Sequence, residues 1–204
     1  VHLKHRLEMF FMLDNEAKLA VFFDFENLAL GVRDAKYSTF DISSINQRLV
    51  EKGKIIIKRA YADWEAFSKY KRQLHEAGID LVYVPKRAYS GKNSADIKLV
   101  VDVMDFCFSK EHIDIFIIAS GDSDFTPLAS KLRENNKIVI GLGVKNSTSP
   151  LLIENCDEFI FYEDVVRPPS KKKQFSDKVP KKKQEEFSKV LDAIHALVRE
   201  DKDI

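Results

Sequence analysis

Residues 113–119 read I-D-I-F-I-I-A and run straight into Ser120-Gly121-Asp122-Ser123-Asp124. A short apolar run rich in β-branched side chains, with almost no polar alternation, suits a strand buried on both faces, as in a parallel sheet. Its far end delivers two acids. The same design opens the chain: residues 19–24, L-A-V-F-F-D, are apolar until they end on Asp24. Further runs of this kind lie at 54–62 (KIIIKRAYA), 79–84 (IDLVYV, closed by Pro85), 137–142 (KIVIGL) and, as a short sixth, 158–162 (EFIFY).

Helical periods separate these runs. Ile42, Ile45, Leu49 and Val50 fit one face, with Asp41 or Ser43 as the N-cap. Residues 64–76 fit a helix ended by Gly78. Residues 94–108 put Ile97, Val100, Val101 and Met104 at helical spacing behind Ser94, a candidate cap, and residues 125–135 carry Pro127 in a first turn. Strand and helix alternate throughout. The expectation is a Rossmann-like α/β domain, a three-layer doubly wound parallel sheet. In such sheets the site lies beyond the carboxyl ends of the strands, where the strand order reverses.

The 204 residues allow one ordinary domain and a tail; 45% are apolar and 32% charged, enough for a core with a well-solvated surface. A net charge of +1 neither favours nor excludes a nucleic-acid partner. Cys107 and Cys156 lack any CxxC spacing and read as reduced core residues. No apolar run approaches the ~20 residues of a membrane span. Glu8 and Asp14 interrupt the apolar patch in residues 1–17, so an N-terminal extension is expected there rather than a signal peptide. These features together point to the cytoplasm.

Composition changes at residue 167. A Pro/Lys-rich linker is expected over 165–183; from 167 to 183 it holds eight basic side chains and one acid. It reads either as a solubilising spacer or as an electrostatic arm for RNA phosphates. Residues 184–204 resume an amphipathic helix, with Phe187, Val190, Leu191, Ile194, Leu197 and Val198 on one stripe. That stripe calls for a protein partner or for docking within the chain. Oligomeric state is left open.

The chemistry sits at the strand ends. First and fourth strands of a doubly wound sheet are neighbours at the switch point, so Asp24, Asp122 and Asp124 are expected to converge. Carboxylates crowded in one crevice resist ionisation, and a hard divalent cation resolves this. Asp96 joins them from the start of the helix after the third strand. Asp102, nearly two turns further on, reads as a cap or a salt-bridge partner. Asn27 either holds a carboxylate or scissile phosphate or caps the next helix; Ser120 and Thr126 either position ligands or phosphates or serve as turn and cap. The five histidines show no zinc spacing, and there is no G-x-S-x-G and no P-loop lysine.

Three stretches carry a resemblance: Val21-Phe22-Phe23-Asp24-Phe25-Glu26-Asn27-Leu28, then Lys92 through Asp102 (KNSADIKLVVD), then Ile118 through Phe125 (IASGDSDF). Gly141-Leu142-Gly143 and Cys156-Asp157-Glu158-Phe159 add to them. The chain resembles the NYN (LabA-like) branch of the PIN-like nuclease superfamily over about residues 18–164. The resemblance implies Mg²⁺- or Mn²⁺-dependent cleavage of RNA, as an endoribonuclease, with Asp24, Asp96, Asp122 and Asp124 as metal-binding acids and Asn27 beside them. The helix at 184–199 resembles the opening of a LOTUS (OST-HTH) RNA-binding module. Substrate contacts are expected from Lys86, Arg87, Tyr89, Lys92 and Lys98, a basic-aromatic set suited to single-stranded RNA.

Rival readings remain. A non-catalytic RNA-binding or regulatory adaptor would share the fold. A haloacid-dehalogenase-type phosphotransferase wants an Asp two residues after its nucleophile, where this chain has Glu26. A receiver-like domain needs a strand-end Lys that the Gly141–Lys145 stretch matches only loosely.

Overall fold

A computed structural model describes residues 17–85 and 94–166. The described residues form a six-stranded parallel sheet of β1 Lys18–Asp24, β2 Lys54–Ala62, β3 Asp80–Tyr83, β4 Ile115–Ala119, β5 Ile138–Gly143 and β6 Glu158–Phe161. Their order is β3-β2-β1-β4-β5-β6. Helices α1 Phe25–Asp34, α2 Ile42–Val50, α3 Lys71–Glu76, α4 Ser94–Ser109, α5 Thr126–Glu134, α6 Pro150–Asn155 and α7 Tyr162–Val166 connect and flank the strands. The expected doubly wound sheet is present, with β1 and β4 side by side at its centre.

Strand periodicity divides the core into two layers. Leu19, Val21 and Phe23 of β1 pack with Leu28 of α1, Ile45 and Leu49 of α2 and Leu74 of α3. Ala20 and Phe22 face the other way, onto Leu99, Val103 and Phe106 of α4 and Leu128 and Leu132 of α5. The chain moves outward from β1 through β2 and β3 on one side. It then returns under the sheet through α4 and moves outward again through β4, β5 and β6. That reversal between β1 and β4 opens the crevice.

The structure changes several local expectations. The stretch at 64–76 is helical only from a 3-10 turn at Ser68–Tyr70 into α3, because Trp64 is buried and donates its indole N–H to the Val82 carbonyl (2.9 Å). Gly78 ends that helix as expected, at φ +68°. Asp41, not Ser43, caps α2, accepting from the Ser44 N–H. Val50 is exposed although Ile42, Ile45 and Leu49 are buried. Ser94 is the first residue of α4. On α4 the buried face is Leu99, Val103, Phe106 and Cys107, while Ile97 and Val101 point outward. This helix is apolar nearly all round, so spacing alone does not choose its inner face. Helices α6 and α7 had no sequence expectation behind them; α1 starts at Phe25 with Asp24 as its cap, so Asn27 lies within it and does not cap it.

Among the described residues no helix is long and apolar enough to cross a membrane. Cys107 and Cys156 are free, buried thiols, and burial pushes Cys156 up to about 12. Residues 1–16 of the expected extension, the linker from 167 and the helix at 184–199 lie outside the described residues.

Candidate active site

Asp24 stands where β1 becomes α1. It is the N-cap of that helix, and its Oδ1 accepts the Asn27 N–H at 3.3 Å. Its Oδ2 accepts the Ser120 hydroxyl at 2.8 Å. Ser120 is the first residue after β4 and is fully buried; its Oγ also accepts the Asp122 N–H at 3.2 Å. The Asn27 side-chain oxygen accepts the Gly121 N–H at 2.9 Å. Two hydrogen bonds therefore tie the β1–α1 corner to the β4 corner, across nearly a hundred residues of sequence.

Gly121 is required here for room. A Cβ at this position would stand 2.6 Å from the Ser147 carbonyl oxygen. Its own carbonyl accepts the Ser149 N–H at 2.9 Å, fixing the loop after β5 against the site. Beyond it, Asp122 Oδ1 accepts the Asp124 N–H at 3.0 Å, and a 3-10 turn at Ser123–Phe125 leads into α5. That turn holds the acids of Ser-Gly-Asp-Ser-Asp at the carboxyl end of β4.

Asp96 lies in the first turn of α4 and is half-buried. Burial, then the charges of Asp122, Asp124 and Glu26, hold its carboxyl above the ordinary range. For Asp24 burial again dominates, and it outweighs the lowering by Ser120. With the charges of Asp96 and Asp122 added, the carboxyl is pushed up to about 7. The acids of both strand ends and of α4 thus share one electrostatic field. Glu26 is an addition to the expected set. Its Oε1 accepts the Asp63 N–H at 3.0 Å and its charge reaches Asp96. The signal was its position two residues after Asp24, in the same corner.

Other expected residues fall in different places. Ser120, expected to position ligands or phosphates, is fully buried and engaged by Asp24 and Asp122, so it is the Asp24 carboxylate that it positions. Thr126 opens α5, and its Oγ1 is buried without a hydrogen-bond partner. Lys98 donates to Asp102 at 2.7 Å, so a phosphate would compete with that ion pair. Lys86, Arg87, Tyr89 and Lys92 lie outside the described residues. Asp102 is the salt-bridge partner foreseen for it. It accepts from Lys98, from the Tyr61 hydroxyl at 2.9 Å and from Arg59 at 3.2 Å.

Among the described residues, no three carboxylate, imidazole or thiolate side chains stand close enough to enclose an ion by themselves. The donor set still suits Mg²⁺ or Mn²⁺. Such ions take hard oxygens, keep several waters and need only one or two carboxylates beside substrate phosphates. The raised Asp24 and Asp96 are what an acid cluster shows before a cation neutralises it.

Residues 18–163 match the family model of the NYN domain. The chain belongs to the NYN domain family. Its fold is the PIN-like one of that family, and the family places it within the PIN-like nuclease superfamily. An uncharacterized protein of Methanocaldococcus jannaschii, MJ0482, is 28% identical over 175 residues, 86% of this chain and 65% of that protein. This chain thus spans about 65% of the length of that relative. A crystal structure of VPA0982, a protein of unknown function from Vibrio parahaemolyticus, superposes with a TM-score of 0.64 at 25% identity. It covers 74% of this chain and 96% of the other. The NYN domain matched here contains every described acid of the site.

Proposed function

We propose that this NYN domain hydrolyses RNA phosphodiester bonds with Mg²⁺ or Mn²⁺, using Asp24, Asp96, Asp122 and Asp124. One observation carries the reading. Asp24 is buried, raised to about 7 and surrounded by other acids, while its own partners are only a hydroxyl and a backbone N–H. The ionised form of such a group is costly to the fold, and a bound cation would remove that cost.

Asp24, Asp96 and Asp122 would hold the metal, with Asp124 at the edge of the set. A divalent cation bound there supplies charge neutralisation at the scissile phosphate and lowers the pKa of an attacking water. Ser120 and the Asn27 N–H fix the direction of the Asp24 carboxylate. Gly121, gripped by Asn27, keeps the β4 corner at its distance from β1. Attack by water leaves a 5′-phosphate and a 3′-hydroxyl. Single-stranded RNA is the proposed substrate and internal cleavage the proposed mode. The cytoplasm is the proposed location.

The test is incubation of the purified chain with labelled single-stranded RNA, double-stranded RNA and single-stranded DNA, in Mn²⁺, Mg²⁺ or EDTA. An Asp122→Asn variant runs beside it. Cleavage of single-stranded RNA that needs metal and is lost in the variant is the expected result. RNA that stays intact in every lane while binding the protein selects the adaptor reading.

A further inference from the structure

A groove of about 820 Å³ begins at the acids and runs away from them between α4, α5 and α6. Asp96 and Asp124 form its acidic end; Ile97, Val101 and Leu151 are among its apolar walls. These three are 64%, 56% and 53% exposed, on two different helices. Large aliphatic side chains held open to water in one concave strip cost free energy unless something covers them in use. Thr126, whose Oγ1 lacks a hydrogen-bond partner, also lines the groove.

We propose that this groove is a nucleobase subsite: it receives a base of the RNA strand whose phosphate lies at the acids. The inference rests on the ribonuclease reading above and extends it from the phosphate to the base. Continuity selects a nucleotide as occupant. Asp96 and Asp124 belong both to the groove and to the proposed catalytic set, so whatever fills the groove adjoins the phosphate. A strand lying across the acids must put a flanking base somewhere beside them. A base has a flat apolar face for Ile97, Val101 and Leu151 and a polar edge for exposed Ser123 at the rim. The volume lies within the range of small-molecule sites and takes a base with its ribose. Among the groove's described residues the only aromatic ring belongs to Phe125, which is buried, so these walls grip a base by aliphatic contact.

The experiment is a double-mutant cycle on binding, carried out on the full chain in the Asp122→Asn background so that turnover does not interfere. Short single-stranded RNAs, intact or abasic at one position in turn, are titrated by fluorescence anisotropy in Mg²⁺. The protein is the parent, Val101→Ser or Leu151→Ser. Both substitutions lie on exposed side chains of separate helices, and circular dichroism with thermal melting verifies each fold. Intact RNA is expected to bind about 10-fold more weakly to each variant, in line with the apolar contact area that each substitution removes. At one abasic position that penalty should vanish. Equal affinity of parent and variants for every RNA overturns the proposal, as does a penalty that persists at every abasic position. A change of oligomeric state with RNA affinity intact also overturns it and makes the groove a protein-contact surface. If the original chain cleaves no RNA but the coupling is found, the catalytic reading fails and the base subsite stands.

Discussion

Asp24 and Asp102 are both buried carboxylates, 6% and 8% exposed, and both lie beside Tyr61 of β2. Asp24 is aligned with Tyr61 in the β1–β2 register, and Asp102 accepts the Tyr61 hydroxyl. Their surroundings differ in sign. Around Asp102, burial would raise the carboxyl, but hydrogen bonds from Lys98 and Tyr61 and the charges of Lys98 and Arg59 bring it below the ordinary range. Arg59 is held in turn over the Phe106 ring, 4.7 Å from its centroid. Around Asp24, burial wins and the neighbouring charges are those of Asp96 and Asp122. One carboxylate is satisfied by the fold and pins α4 to β2. The other is hydrogen-bonded by neutral groups and faces like charges, at the strand crevice. The difference shows what separates a structural ion pair from a candidate ligand: the compensating charge is built in for one and missing for the other.

The sharpest way to break the comparison is catalysis. Asp24→Asn should lower metal-dependent RNA cleavage by about two orders of magnitude or more. Asp102→Asn should lower it far less, through the placement of α4 and Asp96. Initial rates at saturating Mn²⁺ decide; equal losses in both variants would erase the distinction.

Stability should separate the pair in the opposite direction. The folded pKa of Asp24 is about 7, above an unfolded value near 3.8. Native protein therefore holds the proton longer. The stability this contributes is complete below pH ~4 and is lost as pH rises through about 7. In EDTA, Asp24→Asn should gain on the original chain between pH 4 and pH 8, by an amount on the order of 2–4 kcal/mol. Urea unfolding at the two pH values measures it, and a pH-independent difference refutes it.

Asp102 carries the reverse sign. Its folded pKa is depressed, so its contribution is present above the unfolded value and fades as pH falls through the lower folded one. Asp102→Asn should cost about 2 kcal/mol at pH 7, the worth of charged hydrogen bonds whose cationic partners still reach water. The cost should shrink toward pH 3 in the same urea series.

Ser120→Ala gives the smallest effect. It removes the donor that holds Asp24 and lowers its pKa. The expected outcome is about 10-fold slower cleavage and a metal-loading midpoint moved to higher pH, followed by calorimetric Mn²⁺ titration across pH. An unmoved midpoint would mean that Ser120 only fills space.

Much of this was legible from local pattern. All six apolar runs are strands, and the run at 54–62 matches β2 to the residue. Burial on both faces leaves an unbroken apolar stretch that no helix or loop of this length needs. The adjacency of the first and fourth strands followed from the winding rule and holds in the sheet order. Less legible was α4. Its stretch S-A-D-I-K-L-V-V-D-V-M-D-F-C-F-S offers two apolar stripes, and the one with Ile97 and Val101 is on the outside. Glu26 was visible in the motif, yet its reach toward Asp96 depends on an element seventy residues away.

Taken alone, the sequence determined the elements, their parallel winding and the strand-end positions of Asp24, Asp122 and Asp124. These are encoded in short-range hydrophobic periodicity. Only the tertiary structure decided which buried aspartate is neutralised by the fold, which hydroxyl stands behind Asp24, and which stripe of α4 faces water. Those properties belong to side chains brought together from far apart, 96 residues for Ser120 and Asp24 and 43 for Arg59 and Asp102. A carboxylate's pKa and partners are set by what surrounds it in space, and no window along the chain contains that information.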